Sequence, residues 1–277
     1  MKIKLLLPAL LLLTACGGES NVNSSVHKAM DNIAEVAEAV EGMVLKKDAR
    51  LIGGDKSELQ TAIDISMEEI ASTSENRLVG YWIGEFGENK INVSLAHIEN
   101  NQVSGYSICA GNYRSLIGEV TDNGDNTFKF VLDEPGDDKY DGKFEFSVDL
   151  GTEELTGSWT PYKEEGNSTR NYTLGKRTFE YVTGVGKWPE ASERILAIED
   201  VENLLEDELS MMRNEIYARH GYCFKNKEFR NHFEAQEWYM PMGVDIRAQL
   251  TEVEAKNIDL IYEYETYYEE YYDDYGR

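Results

Sequence analysis

The chain has 277 residues, 41% of them hydrophobic and 29% charged, with only 5 prolines. That composition excludes a collagen-like fibre, a multi-span membrane protein and a wholly disordered chain, and the length suits one or two folded domains. A formal net charge of −25 repels nucleic acid and anionic lipid headgroups, so no nucleic-acid partner is expected.

The N-terminus reads as an export signal. Lys2 and Lys4 precede an apolar run from Leu5 to Leu13, interrupted only by Pro8. The run is too short to span a bilayer and fits the apolar region of a signal peptide. It ends in Leu13-Thr14-Ala15-Cys16-Gly17, which resembles the lipobox of bacterial lipoprotein signal peptides. The resemblance implies removal of residues 1–15 and lipidation of Cys16, with diacylglycerol on the thiol and a fatty acid such as palmitate on the new amine. Several acyl chains anchor a protein lastingly where one does not. The expected membrane partner is therefore reached through the lipid on Cys16. Gly17 in place of Asp implies an outer-membrane address in the cell envelope. Loss of Lys2 and Lys4 takes the mature charge to −27.

Residues 16–77 read as a tether followed by an amphipathic helical neck. Gly17 to Ser25 are small and polar. Val26, Met30, Ile33, Ala37, Val40 and Val44 then recur at helical spacing. After Gly53-Gly54, Ser57 and Gln60 form a capping-box pattern ahead of Leu59, Ile63, Met67 and Ile70.

From Leu78 to Tyr181 the apolar period becomes two, as in Phe144, Phe146, Val148 and Leu150 alternating with Lys143, Glu145, Ser147 and Asp149. Seven turn signals separate the runs: Gly87-Glu88-Asn89, Asn100-Asn101, Gly111-Asn112, Asn123-Gly124, Pro135-Gly136, Gly151-Thr152 and Gly166-Asn167. Eight short antiparallel strands with one apolar face each must close or be covered. An up-and-down barrel over 78–181 is the economical solution, with a sandwich as the alternative. Gly80-Tyr81-Trp82 and Gly157-Ser158-Trp159 resemble the Gly-x-Trp strands of lipocalins and avidins. In each unit the ring is expected to lie over the space its own glycine leaves. Two core tryptophans plugging the barrel are expected ahead of a ligand chamber.

Residues 190–277 read as a small all-α domain, giving an α+β chain overall. A helix is expected from about Asp207 to His220, stopped by Gly221. A shorter one carries Phe229 and Phe233 and ends at Trp238-Tyr239-Met240-Pro241. A third opens at the capping box Thr251-x-x-Glu254. Met212-Arg213-Asn214-Glu215-Ile216-Tyr217-Ala218-Arg219-His220-Gly221 resembles the YARHG domain, a small bacterial domain held to be extracellular. Phe233, Trp238-Tyr239-x-Pro241 and Leu250-Thr251-x-x-Glu254-x-x-Asn257 fit the same pattern. The resemblance implies an envelope-facing module and supplies no catalytic residues.

Within this region residues 213–230 carry a net +3, from Arg213, Arg219, Lys225, Lys227 and Arg230 against Glu215 and Glu228. They form a candidate anion site, with Trp238 and Tyr239 as a candidate stacking wall. Pairing of these cations with the chain's own acids is the competing expectation. His220 is expected to satisfy carbonyls at its helix terminus. Cys109 and Cys223 are expected as separate thiols. The tail holds seven tyrosines between Tyr262 and Tyr275, expected to dock or fray. Neither a catalytic motif nor metal-ligand spacing occurs, so no reaction, cofactor or metal is expected. The sequence points to a non-enzymatic envelope binding module for an anionic component such as peptidoglycan, or for an envelope protein. A carrier of a small apolar ligand in the barrel is the alternative.

Overall fold

A computed structural model describes residues 76–136, 140–163 and 168–271. The expected signal peptide, Cys16, the expected tether and neck helices, and the last tyrosines of the tail lie outside them. Eight strands follow in order: β1 Gly80–Phe86, β2 Asn89–Glu99, β3 Gln102–Cys109, β4 Asn112–Gly124, β5 Thr127–Asp133, β6 Gly142–Asp149, β7 Glu154–Pro161 and β8 Arg170–Arg177. Each pairs antiparallel with its sequence neighbours, and β8 pairs with β1, closing the barrel. Five helices follow among the described residues: α1 Glu190–Glu193, α2 Ile198–Val201, α3 Glu206–Arg219, α4 Lys227–Glu234 and α5 Glu252–Tyr271.

The expected barrel and α+β class are therefore present, and the turns explain the strand registers. Asn100 and Asn101 both have positive φ, at 49° and 67°, as a two-residue hairpin loop between twisted strands requires. Two turns sit elsewhere than the sequence places them. Asn112 pairs with Cys109 in the ladder, so the loop is Ala110-Gly111. Gly124 ends β4 beside a bulge, and Asp125 and Asn126 make the turn.

Trp82, Val93, Leu95, Phe130, Leu132, Phe144, Phe146, Leu155 and Leu174 fill the interior. Phe130 and Phe146 stack with ring centroids 4.9 Å apart. Both tryptophans are core residues, but neither ring lies over the glycine of its own unit, since Gly80 faces Lys176 and Gly157 faces Phe146. Trp159 lies over Gly142 of the neighbouring strand, where a β-carbon would fall 2.6 Å from the ring. Gly157 instead admits the close approach of Phe146. At the opposite end Trp82 donates to the Leu78 carbonyl at 3.2 Å, and the Lys176 ammonium lies 5.6 Å from its ring centroid. The segment leading into β1 closes that end.

The helices enclose a second core of Trp188, Leu196, Leu209, Met212, Ile216, Phe224, Phe233, Tyr239 and Ile261. This domain packs on the outer wall of β2 and β3. That explains β2, where Ile91 to Ala96 are all buried although apolar and polar residues alternate. Ala96, Tyr106 and Ile108 of the wall meet Cys223.

Candidate functional site

Helix α3 places the densest group of polar residues, and its end shows why. Gly221 has φ 74°. The Tyr222 amide donates back to the Tyr217 carbonyl at 3.0 Å and the Gly221 amide to Ala218 at 2.9 Å. This is the paired 6→1 and 5→2 closure of a helix by a left-handed residue. The rings of Tyr217 and Tyr222 make its accompanying contact.

Arg219 points inward with its side chain fully buried. It donates to the Val185 carbonyl at 2.9 and 3.0 Å, to Trp188 O and Ser192 Oγ at 2.9 Å, and to Glu215 Oε1 at 2.5 Å. Glu215 in turn accepts the Lys187 and Trp188 amides at 2.8 Å each. The pair ties the loop that leads from the barrel to the face of α3. His220 lies 2.8 Å from Glu254 Oε2 and stacks on Tyr181 at 4.4 Å. Its partner is thus the capping carboxylate of α5 rather than the helix-terminal carbonyls expected of it. Glu254 also accepts from the Thr251 amide and from Ser192 and Tyr181 hydroxyls. Burial opposes its ionisation, but the hydrogen bonds from His220, Thr251 and Ser192 prevail and hold its pKa at about 2. Asn257, one turn along α5, accepts the Leu196 amide and donates to Ala191 and Arg194 carbonyls. Asn214 bonds back to Ser210 O within α3.

Residues 186–266 match the YARHG domain family. No curated protein and no solved structure matches the chain. The five residues that spell the domain's name here, Tyr217 to Gly221, therefore make the helix stop, a small packing contact, the anchor of the entry loop and the link to α5. Each has its partner within the described chain.

The five cations of the candidate anion site do not share one surface. Arg213 is bidentate to Glu265 at 3.0–3.3 Å and lies 4.4 Å from the Tyr262 ring centroid. Arg219 is buried as described. Arg230 donates to the Phe224 and Lys225 carbonyls. Lys225 and Lys227 are exposed. Lys225 packs against Gly111 of the β3–β4 turn, and Lys227 stands 3.8 Å from Glu88 of the β1–β2 turn. Of the five cations, the two that face solvent are thus Lys225 and Lys227, beside the rim of the barrel. Tyr239 is wholly buried, its hydroxyl donating to Tyr222 O at 2.8 Å. It cannot form a sugar-stacking wall. Trp238 is half-buried, edge-on to Phe233 and Tyr239.

How the two domains join carries no signal in the sequence. Lys90 donates its amide to Glu234 Oε2 at 2.9 Å and its ammonium to the Gln236 and Tyr239 carbonyls at 3.0 and 3.3 Å. Asn92 donates to Pro241 O at 2.9 Å, and the Gly111 amide to Cys223 Sγ at 3.0 Å. Both Cys109 and Cys223 are free thiols. The unbroken burial of β2 is visible only once its outer face is covered.

The barrel rim on the α4 side likewise has no motif that marks it. There Glu134, only 4% exposed, accepts from Trp159 Nε1 at 2.9 Å, Ser107 Oγ at 3.1 Å and the Gly142 amide at 2.9 Å. Burial nevertheless raises its pKa to about 7 against those hydrogen bonds and Arg114. Arg114 pairs with Asp141 at 2.5 Å. Among the described residues no group of three His, Cys, Asp or Glu is placed to hold a metal ion, and no helix is long and apolar enough to cross a membrane.

Proposed function

We propose that the chain is an envelope lipoprotein, anchored in the outer membrane through Cys16, whose YARHG domain serves as a non-enzymatic binding module for an anionic component such as peptidoglycan. The observation that carries the reading is the spending of the motif's Arg219 and His220 on internal bonds, which leaves Lys225 and Lys227 as the solvent-facing cations of the basic stretch 213–230. In a chain of −25, two exposed lysines beside the barrel rim offer a local landing point while the rest of the surface repels loose polyanions. Salt should weaken such contacts, because exposed charges are screened beyond about 8–10 Å at physiological ionic strength.

The test is sedimentation with isolated cell wall at low and physiological salt. Lys225→Glu with Lys227→Glu should release the protein without lowering its melting temperature. Undiminished sedimentation of that variant removes the reading. The anchor is tested separately: Cys16→Ser should remain an unprocessed precursor that takes up no labelled fatty acid.

A further inference from the structure

We infer that the α1–α2 segment of the YARHG domain is a docking surface for a basic amphipathic segment of a partner protein, seated on Ile195, Ile198 and Leu205. The surface differs from Lys225 and Lys227 in residues and in sign of charge, so it stands whether or not the wall-binding reading holds.

The segment is apolar on two sides. Leu196 and Val201 enter the helical core, 5% and 0% exposed, and Leu204 packs against that core. That is the side the fold uses. Ile195, Ile198 and Leu205 lie on the other, 51%, 54% and 64% exposed. Three of the seven large hydrophobic side chains exposed among the described residues thus fall within the eleven positions from 195 to 205. Apolar side chains scattered singly over a surface are ordinary, whereas several together mark a contact.

The backbone that carries them is fixed in place. Asn257 of α5 accepts the Leu196 amide at 2.8 Å and donates to the Ala191 and Arg194 carbonyls at 2.8 and 2.7 Å. Arg194 holds Asp200 with both arms of its fork, at 2.6 and 2.8 Å. Asp200 also accepts the Ala197 amide at 2.7 Å. These bonds bracket Ile195 and Ile198 from either side. A surface already ordered loses less conformational entropy when a partner arrives.

Charge selects the occupant. Residues 190–208 hold eight acids against Arg194 alone, a net −7. Arg194 is taken by Asp200. Glu199, Glu202 and Glu206 are exposed and form no ion pair among the described residues. Apolar side chains rimmed by unpaired carboxylates favour a partner whose apolar contact is flanked by lysine or arginine. A second copy seated on the same patch would bring these acids face to face, and anionic lipid headgroups would meet the same repulsion. The surface therefore fits a polypeptide segment that is apolar on one face and cationic beside it, as in an amphipathic helix.

The probe is a fluorescein-labelled synthetic helix of leucine and lysine, apolar on one face, titrated into the whole mature chain and read by anisotropy. Control peptides carry glutamate for lysine, or serine for leucine. The leucine–lysine peptide should bind saturably at one site and more tightly than either control. Ile195→Ser with Ile198→Ser should weaken it by about tenfold or more, the scale of one isoleucine's lost burial. That variant should keep its melting temperature within about 2 °C, since both side chains are already half in water. Glu199→Lys with Glu202→Lys should also weaken binding and flatten its salt dependence. Glu85→Lys with Glu145→Lys makes the same change of charge on exposed residues of the barrel wall and should weaken it less. Lys225→Glu with Lys227→Glu, which tests the wall-binding reading, should not weaken it. Unaltered affinity or a lowered melting temperature in the isoleucine variant, an equal loss from the barrel variant, or equal binding of a control peptide each overturns the inference. So does sedimentation showing that the isoleucines pair two copies of the chain or bind phosphatidylglycerol vesicles instead.

Discussion

Replacing Arg219 with methionine tests whether the YARHG motif is an internal brace. The substitution keeps much of the apolar stem and removes five hydrogen bonds. The Val185 and Trp188 carbonyls lose their guanidinium donor. Glu215 keeps the Lys187 and Trp188 amides but loses its charged partner, while staying 2% exposed. Breaking a buried ion pair from one side costs about 3–5 kcal/mol, because the remaining charge stays desolvated. For about 190 described residues unfolding together, each kcal/mol lowers the midpoint by about 2–4 °C, so a fall of about 6–20 °C is expected. Arg219→Lys keeps the charge but not the fork that reaches two carbonyls and a carboxylate at once, and should lie between. Glu215→Met together with Arg219→Met should cost less than the two single changes added, because neither partner is left charged alone. Circular dichroism melts of the parent and the four variants provide the comparison. A midpoint for Arg219→Met within 1–2 °C of the parent, well below what loss of a buried pair demands, would refute the bracing role and return Arg219 to the surface chemistry.

Glu254 is held at about 2, below its ordinary 4.5, so the folded state binds the proton less readily than the unfolded chain. Its stabilisation is full above the ordinary carboxylate pKa and is lost as pH falls from there towards 2. Melts between pH 5 and pH 3 should therefore fall less steeply for Glu254→Gln than for the parent. Glu134 and Glu234 are raised to about 7, the opposite sense, because burial disfavours their charged forms. They bind protons more readily when folded, so stability should decline as pH rises from about 5 through 7, and Glu134→Gln should shallow that decline. In the barrel, Phe146→Asp should destabilise by at least about 3 kcal/mol in denaturant titration, losing the stack on Phe130, while Glu145→Lys on the outer wall should change little.

The barrel was legible because its signal is local and repeated. Alternation fixes which side chains face inward, and asparagine and glycine mark the reversals. The YARHG domain was legible by resemblance, and the helix stop at Gly221 and the Thr251–Glu254 box by the chemistry of helix ends. What stayed hidden depends on contacts between distant residues. Nothing near Asn92 announces a partner at Pro241, and the four-residue helices α1 and α2 are held by Asn257 and Asp200 rather than by their own periodicity. The basic run misled for the same reason. Charge counted along the chain places Arg213, Arg219 and Lys225 together, but on a helix and its following loop they point to an acid on α5, into the core and to solvent respectively.

The antiparallel course of the barrel gives the molecule a direction. Asn76 to Val79 lead into β1 at the end closed by Trp82 and Leu78, and β1 delivers the chain to Phe86 at the Arg170 mouth, about 20 Å away for seven extended residues. The turns after β1 and β3, which emerge at that mouth, are the ones that Lys227 and Lys225 of the YARHG domain touch. Glu134 with its partners, Lys225 and Lys227 therefore gather at one pole, and the chain enters the barrel from the other. Coupling to a surface through the exposed β4–β5 turn, at the entry pole, therefore keeps the pole of Lys225 and Lys227 available for binding measurements.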